Sequence, residues 1–198
     1  MIRLGILGST RGSSLLPIID AIAAQQLDAQ INVIISNKAD ALILQKAAQH
    51  QLPFQFINPA QLTREDYDRK VTSALQQHEV DYVILIGYLR ILSAEFVSTW
   101  HNKVLNVHPS LLPDFAGGMD LDVHRAVLDA GVKETGCTVH IVTEEVDAGP
   151  IVVQKKCLVE RDDTPESLKA RVQALEGTAL IEAVQLLSNN HTHQSHQN

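Results

Sequence analysis

Apolar positions along this 198-residue chain fall into two alternating rhythms. Short, nearly unbroken apolar runs at 2–7, 31–35, 53–57, 82–86 and 104–107 read as strands, and the run at 82–86 has the continuity of a central parallel strand. Between them the period lengthens to that of a helix. Leu15, Ile18, Ile19 and Ile22 recur at i, i+3, i+4 and i+7, with Ser13 or Ser14 placed to cap the start and Pro17 tolerated in the first turn. A second helix is predicted near 39–49. Thr63-Arg64-Glu65-Asp66 looks like a capping arrangement ahead of a stripe formed by Tyr67, Val71, Ala74 and Leu75, and Ser93 caps a short helix through Trp100.

The second half changes character. Asp120 or Asp122 can cap a helix through Ala130 that Gly131 closes. Residues 137–142 alternate, with Cys137, Val139 and Ile141 on one face and Thr138, His140 and Val142 on the other. A longer, more polar strand follows at 151–159. Thr164 and Pro165 then open a long helix with Leu168, Val172, Leu175, Ala179 and Ala183 as its stripe. The polar tail 188–198 is expected to be disordered.

Strands alternating with helices predict an α/β fold with a doubly wound, mostly parallel sheet. One domain is expected over 1–187, a phosphate-binding half at 1–107 followed by a lid and C-terminal half at 108–187. In such sheets ligands bind at the carboxyl ends of the strands. Three polar or glycine-containing loops fall there, at 8–14, 87–92 and 108–120, so residues far apart in sequence are expected to build one site.

Composition adds exclusions. With 45% apolar and 20% charged residues the chain is ordinary for a globular domain, and its net charge of -7 disfavours nucleic acid as a partner. A small anionic substrate needs only a few local donors. Cys137 and Cys157 lack metal spacing and read as buried thiols in a reducing compartment. The start, Met-Ile-Arg-Leu-Gly-Ile, reads as a strand rather than a leader, and no apolar run approaches a membrane span; a cytoplasmic protein without membrane partners is expected. His191, His193 and His196 read as incidental, and no metal site is expected.

Chemistry concentrates in three places. Gly8-Ser9-Thr10-Arg11-Gly12-Ser13-Ser14, between a strand and a helix start, can cradle one phosphate on backbone N–H groups. It has neither the glycine pattern nor the acidic partner of a dinucleotide site, and no Walker lysine. Val104-Leu105-Asn106-Val107-His108-Pro109 puts an amide and an imidazole on the same face of a strand end, flanked by Pro109 and Pro113. That pair suits an acyl transfer: a donor for a developing oxyanion and an acid that titrates near neutral pH. Glu144-Glu145-Val146-Asp147 offers a carboxylate that would favour a charged His108 and orient its ring, with Glu144, Glu145 and Asp147 all open as candidates. His140 could line the site or be a satisfied core or surface histidine.

Three segments together, Gly-Tyr-Leu-Arg-Ile-Leu (87–92), Asn-Val-His-Pro-Ser-Leu-Leu-Pro (106–113) and Thr-Val-His-Ile-Val-Thr-Glu-Glu-Val-Asp-Ala-Gly-Pro-Ile (138–151), carry a resemblance. From residue 1 to about 187 the chain resembles the phosphoribosylglycinamide formyltransferases, folate-dependent enzymes of purine biosynthesis with a Rossmann-like N-terminal half. The resemblance implies transfer of a formyl group from 10-formyltetrahydrofolate, as co-substrate, to glycinamide ribonucleotide, by a monomer or homodimer and without metal. It implies His108 as the acid, Asn106 as the donor to the formyl oxygen, and Asp147 as the partner of His108. Gly12, Ser13 and Ser14 would hold the phosphate, with Gln173 and Glu176 assisting from the last helix and Pro109 and Gly117 shaping the ribonucleotide cleft. Leu89, Arg90, Ile91 and Leu92 would line the pterin pocket, with Asn106 at its reacting end and Arg64 facing the folate. Thr143, Glu144, Glu145, Val146 and Asp147 would close over the pterin. Two departures from the family pattern stand out: Ser14 takes the place of an asparagine, and 117–125 is longer than expected, with His124 near the cleft or on a helix surface.

Related formyl-folate enzymes are the nearest rivals. A transfer-RNA formyltransferase would want a nucleic-acid-binding domain, and a formyltetrahydrofolate hydrolase an N-terminal regulatory one. A non-enzymatic nucleotide-binding module would leave the Asn106, His108 and Asp147 set unexplained.

Overall fold

Alternation of buried positions along the strands decides the architecture. In the computed structural model, which describes residues 1–195 and side chains through 189, Ile6, Ile34 and Ile84 face one way while Leu7, Val33, Ile35, Val83 and Leu85 face the other. Both faces are apolar, so both must be covered. Helices α1 (Leu15–Ala23), α2 (Leu42–Gln49) and α6 (Pro165–Ser195) cover the first, and α3 (Arg64–Gln77) and α4 (Ala94–Thr99) the second.

The seven strands are β1 (Ile2–Leu7), β2 (Ala29–Ser36), β3 (Phe54–Phe56), β4 (Tyr82–Leu85), β5 (Val104–His108), β6 (Glu134–Ile141) and β7 (Ile151–Leu158), in the order β3-β2-β1-β4-β5-β6-β7. The first five are parallel; β6 runs antiparallel to both β5 and β7. The chain winds outward from β1 to β3, then returns to place β4 on the other side of β1. This reversal opens a crevice beyond the carboxyl ends of β1 and β4, the place where such sheets bind ligands. The doubly wound, mostly parallel sheet matches the sequence expectation, with β4 at its centre.

Local signals hold at several ends. Thr63 and Ser93 cap α3 and α4 by accepting from the N–H groups of Asp66 and Phe96. Gly131, at φ +63, follows α5 (Leu121–Asp129). Others are overridden by tertiary contacts. Ser14 sits at the N-cap of α1 but makes no side-chain cap; its hydroxyl goes to Glu176 instead. Asp120 likewise makes no cap on α5, because Lys169 of α6 takes its carboxylate, while Asp122 pairs with Arg125. α2 begins at Leu42 rather than 39 and β6 at Glu134 rather than 137.

The long helix reaches into the polar tail. α6 continues past 187 to Ser195, and Ser188 Oγ lies 3.5 Å from the carbonyl of Asp28. The side chains of His191 and His193, and all of His196, lie outside the described residues. Cys137 is buried as expected, whereas Cys157 is half-buried; both are free thiols, and burial pushes Cys137 up to about 12.

Candidate active site

The loop after β1 turns sharply because Gly12 adopts φ +60, and a Cβ there would collide with Ile43. Gly12 and Ser14 are buried and Ser13 is exposed. Lys46 Nζ donates to the Gly12 carbonyl at 3.2 Å, bringing a cation to the loop alongside Arg11. Ser14 Oγ donates to Glu176 Oε2 at 3.2 Å, joining the first helix to the last across 162 positions of sequence. Gln173 lies one turn earlier on α6 and is half-buried.

Two polar hooks hold the 87–92 loop beside it. Ser9 Oγ donates to Asn37 Oδ1 at 2.6 Å and accepts from the N–H of Leu89 at 2.9 Å. At the other end, buried Asp68 accepts from the N–H of Ser93 at 2.6 Å. Arg90 stacks its guanidinium over the Tyr67 ring, 4.3 Å from the centroid. Leu89 and Ile91 are left 43% and 64% exposed at the switch-point crevice, two apolar side chains available to a flat ligand. Arg64, first residue of α3, pairs with its neighbour Glu65 at the surface.

The end of β5 gathers the polar side chains. Antiparallel register places Asn106 directly opposite His140 and His108 opposite Thr138, all on one face. His108 is only 3% exposed. Its Nδ1 lies 3.1 Å from Asp147 Oδ2 and its Nε2 3.0 Å from the carbonyl oxygen of Phe115. Both partners are acceptors, so only a doubly protonated ring donates to both.

The three acids of the closing loop are thereby separated. Glu144 and Glu145 are exposed, as is Val146, while Thr143 donates its hydroxyl to the Glu145 carbonyl. Asp147, in the left-handed region at φ 55, turns inward to His108. It also accepts from the N–H of Gly117 at 2.8 Å and lies 3.5 Å from His140 Nε2. Burial opposes its charge, but the His108 ring and the N–H of Gly117, which donate to it, outweigh that and hold the carboxyl well below the usual carboxylate range.

The loop 109–120 leaves β5 at half-buried Pro109 and is fastened at its root. Thr138 Oγ1 donates to the Ser110 carbonyl and accepts from the N–H of Leu112, and Gln154 donates to both Thr138 Oγ1 and the Leu112 carbonyl. Farther along, Phe115 and Gly117 grip His108 and Asp147 through backbone groups. Those backbone contacts carry no side-chain signature, so sequence reasoning missed Phe115 altogether.

Two further histidines are buried close by. His124 is buried rather than on a helix surface, and its Nδ1 meets no hydrogen-bond partner among the described residues. Burial, with Lys169 nearby, lowers it to about 4. His140 is a core histidine that is also part of the site, its Nε2 3.1 Å from Asn106 Nδ2. Among the described residues no group of three or more His, Cys, Asp or Glu is arranged to hold a metal ion, and no helix is long and apolar enough to cross a membrane.

An amide, an oriented imidazole and a carboxylate thus meet beyond the end of β5, beside a glycine-turned loop, on a doubly wound sheet. A sequence model described as formyl transferase matches residues 2–184, and the chain belongs to that family. It is 42% identical over 187 residues to the trifunctional purine biosynthetic protein adenosine-3 of Bos taurus, covering 94% of this chain and 18% of that protein, so it spans about a fifth of that relative's length. Against the phosphoribosylglycinamide formyltransferase of Escherichia coli (strain K12) the identity is 40% over 172 residues, covering 86% of this chain and 80% of the relative. The crystal structure of glycinamide ribonucleotide transformylase 1 from Symbiobacterium toebii superposes with a TM-score of 0.92 at 38% identity, covering 96% of this chain and 89% of that one.

Proposed function

We propose that this chain transfers the formyl group of 10-formyltetrahydrofolate to the amine of glycinamide ribonucleotide, a step of purine biosynthesis. The observation that carries the reading is the joining of His108, Asn106 and Asp147 at the end of β5, in a chain 40% identical to a phosphoribosylglycinamide formyltransferase.

In this reading Gly12, Ser13 and Ser14 bind the ribonucleotide phosphate, with Arg11 and Lys46 adding local positive charge in a chain of net charge -7. Gln173 and Glu176 approach the ribonucleotide from α6, and Pro109 and Gly117 border it. Leu89, Ile91 and Leu92 give the pterin an apolar surface, the backbone of Arg90 supplies polar contacts, and Thr143–Asp147 closes from the other side. Arg64 serves the folate's outer end.

The reaction needs an amine to attack the formyl carbon while the C=O pair moves onto oxygen. Asn106 donates one N–H to that oxygen, and a protonated His108 offers a second stabilising charge. Breaking the bond from the formyl carbon to the folate nitrogen returns the pair to that nitrogen, which needs a proton. His108 supplies it from Nε2, Asp147 stabilises the imidazolium until then, and the proton the attacking nitrogen loses returns the imidazole to its charged form. Since Nε2 now faces the Phe115 carbonyl, the lid must release that contact before the proton reaches substrate.

The test is ribonucleotide-dependent loss of formyl-folate by the purified protein. Turnover that needs the ribonucleotide is expected, and His108→Ala should lower kcat by about 100-fold or more. Formyl-folate hydrolysis without the acceptor would replace the proposal with a hydrolase. Binding of both ligands without turnover would point to a non-enzymatic module.

A further inference from the structure

Asn106 can stabilise an oxyanion only if its amide is turned the right way. An asparagine side chain has a donor end and an acceptor end of nearly equal size, and a flip would present its oxygen, with the wrong sign, to the formyl oxygen. Something must therefore choose between the two orientations. Nothing on β5 does so, because the neighbouring side chain on that face, His108, is held by Asp147 and Phe115.

Across the sheet, His140 stands directly opposite Asn106 and is 2% exposed. Its Nδ1 lies 3.0 Å from the carbonyl oxygen of Ile141. A carbonyl only accepts, so that nitrogen must carry the ring's proton. In the neutral ring the other nitrogen, Nε2, is then a lone-pair acceptor, and it faces Asn106 Nδ2 at 3.1 Å. A fixed acceptor at that place demands a donor, so the amide turns its nitrogen toward His140. Its second N–H is the one left for substrate.

The same Nε2 lies 3.5 Å from Asp147 Oδ1, longer than the 3.1 Å between Asp147 and His108. The carboxylate is thus held principally by His108 and the N–H of Gly117, leaving the His140 lone pair to Asn106. We infer that His140 is a positioning residue that uses its Nδ1–H tautomer, locked by the Ile141 carbonyl, to hold the Asn106 amide with an N–H toward the reacting carbon.

The inference rests on the formyl-transfer reading, and its test separates the two. Formyl transfer by the wild-type protein is measured first; its absence would sink the proposed function alone. In 15N-labelled wild-type protein, the ring nitrogens of His140 should give the shifts of a neutral imidazole protonated at Nδ1. A proton on Nε2 would overturn the positioning role whatever the activity. In an active enzyme, His140→Leu should lower kcat by roughly 10- to 100-fold with KM for both substrates within about twofold, since the amide acts on the transition state. His140→Gln, whose side-chain oxygen can accept from Asn106, should recover part of the loss. In an Asn106→Ala background His140→Leu should cost less than about twofold more, because the group it positions is already gone. Equal losses in both backgrounds would mean a merely structural histidine, and would overturn the inference even with the activity intact.

Discussion

Asp147 and Glu176 are both sheltered carboxylates at the candidate site, and they are driven in opposite directions. Asp147 meets two donors, the His108 ring and the N–H of Gly117, with the His140 ring 3.5 Å away; it stays ionised far into acid. Glu176 meets one neutral donor, the Ser14 hydroxyl, and burial pushes it up to about 7. Depth alone therefore predicts Glu176 and fails for Asp147. What decides is how many donors converge on the carboxylate and whether they carry charge, since each favours the anion that desolvation disfavours. The β5–β6 end is built to keep a charge fixed, and the α6 side to let one change near neutral pH.

The largest expected effect comes from removing the fixed charge. Asp147→Asn keeps the shape of the side chain but not the anion, so the negative charge beside His108 is lost. Formyl transfer should fall by about 100-fold or more in kcat, read by steady-state rates at saturating substrates. Far-UV circular dichroism should remain that of the native protein. An activity near wild type would mean that the strand-end charge has no part in the reaction, and that the contrast with Glu176 is one of packing alone.

That contrast was only half legible in the sequence. Strand parity put Asn106 and His108 on one face, and put Thr138 and His140 on one face of another strand, because alternation is a local property of the backbone. Which face met which depended on β5–β6 register, and so the Asn106–His140 pair was not readable. Glu144, Glu145 and Asp147 could not be ranked by residue type; a single left-handed residue at 147 turns one of them inward. Ser14 looked like a helix cap because capping is local, yet its partner lies on the last helix. His124 follows Val123 in α5, one position off the exposed face, and only the packing of α6 reveals that it is buried.

A second break in the comparison concerns stability. Glu176 has a folded-state value raised from 4.5 to about 7, so the folded protein holds its proton more tightly than the unfolded chain. Its contribution is fully present below about pH 4.5 and is lost as pH rises to about 7. His124, lowered from 6.5 to about 4, has the opposite slope: its contribution is present above about pH 6.5 and is lost as pH falls toward 4. The two nearly offset one another in the same window. Glu176→Gln should expose the His124 slope. Urea unfolding should show the variant gaining stability relative to wild type between pH 5 and 8, by about 3 kcal/mol at most. A relative stability independent of pH would mean that Glu176 is ionised throughout.

The smallest effect tests the donor count directly. Ser14→Ala removes the one hydroxyl that favours the Glu176 anion and leaves the surrounding apolar packing in place. One neutral hydrogen bond of ordinary net strength corresponds to roughly half to one pH unit, so Glu176 should titrate that much higher. The 13C resonance of its carboxyl carbon, followed against pH in wild type and variant, reads this without relying on catalysis. The sign is the important part. A rise means that donors set the charge of this carboxylate as they do for Asp147, with one in place of two. A fall would mean that the serine was keeping solvent out of the pocket, so that its loss hydrates the carboxylate, and burial rather than donor number would then govern both sites.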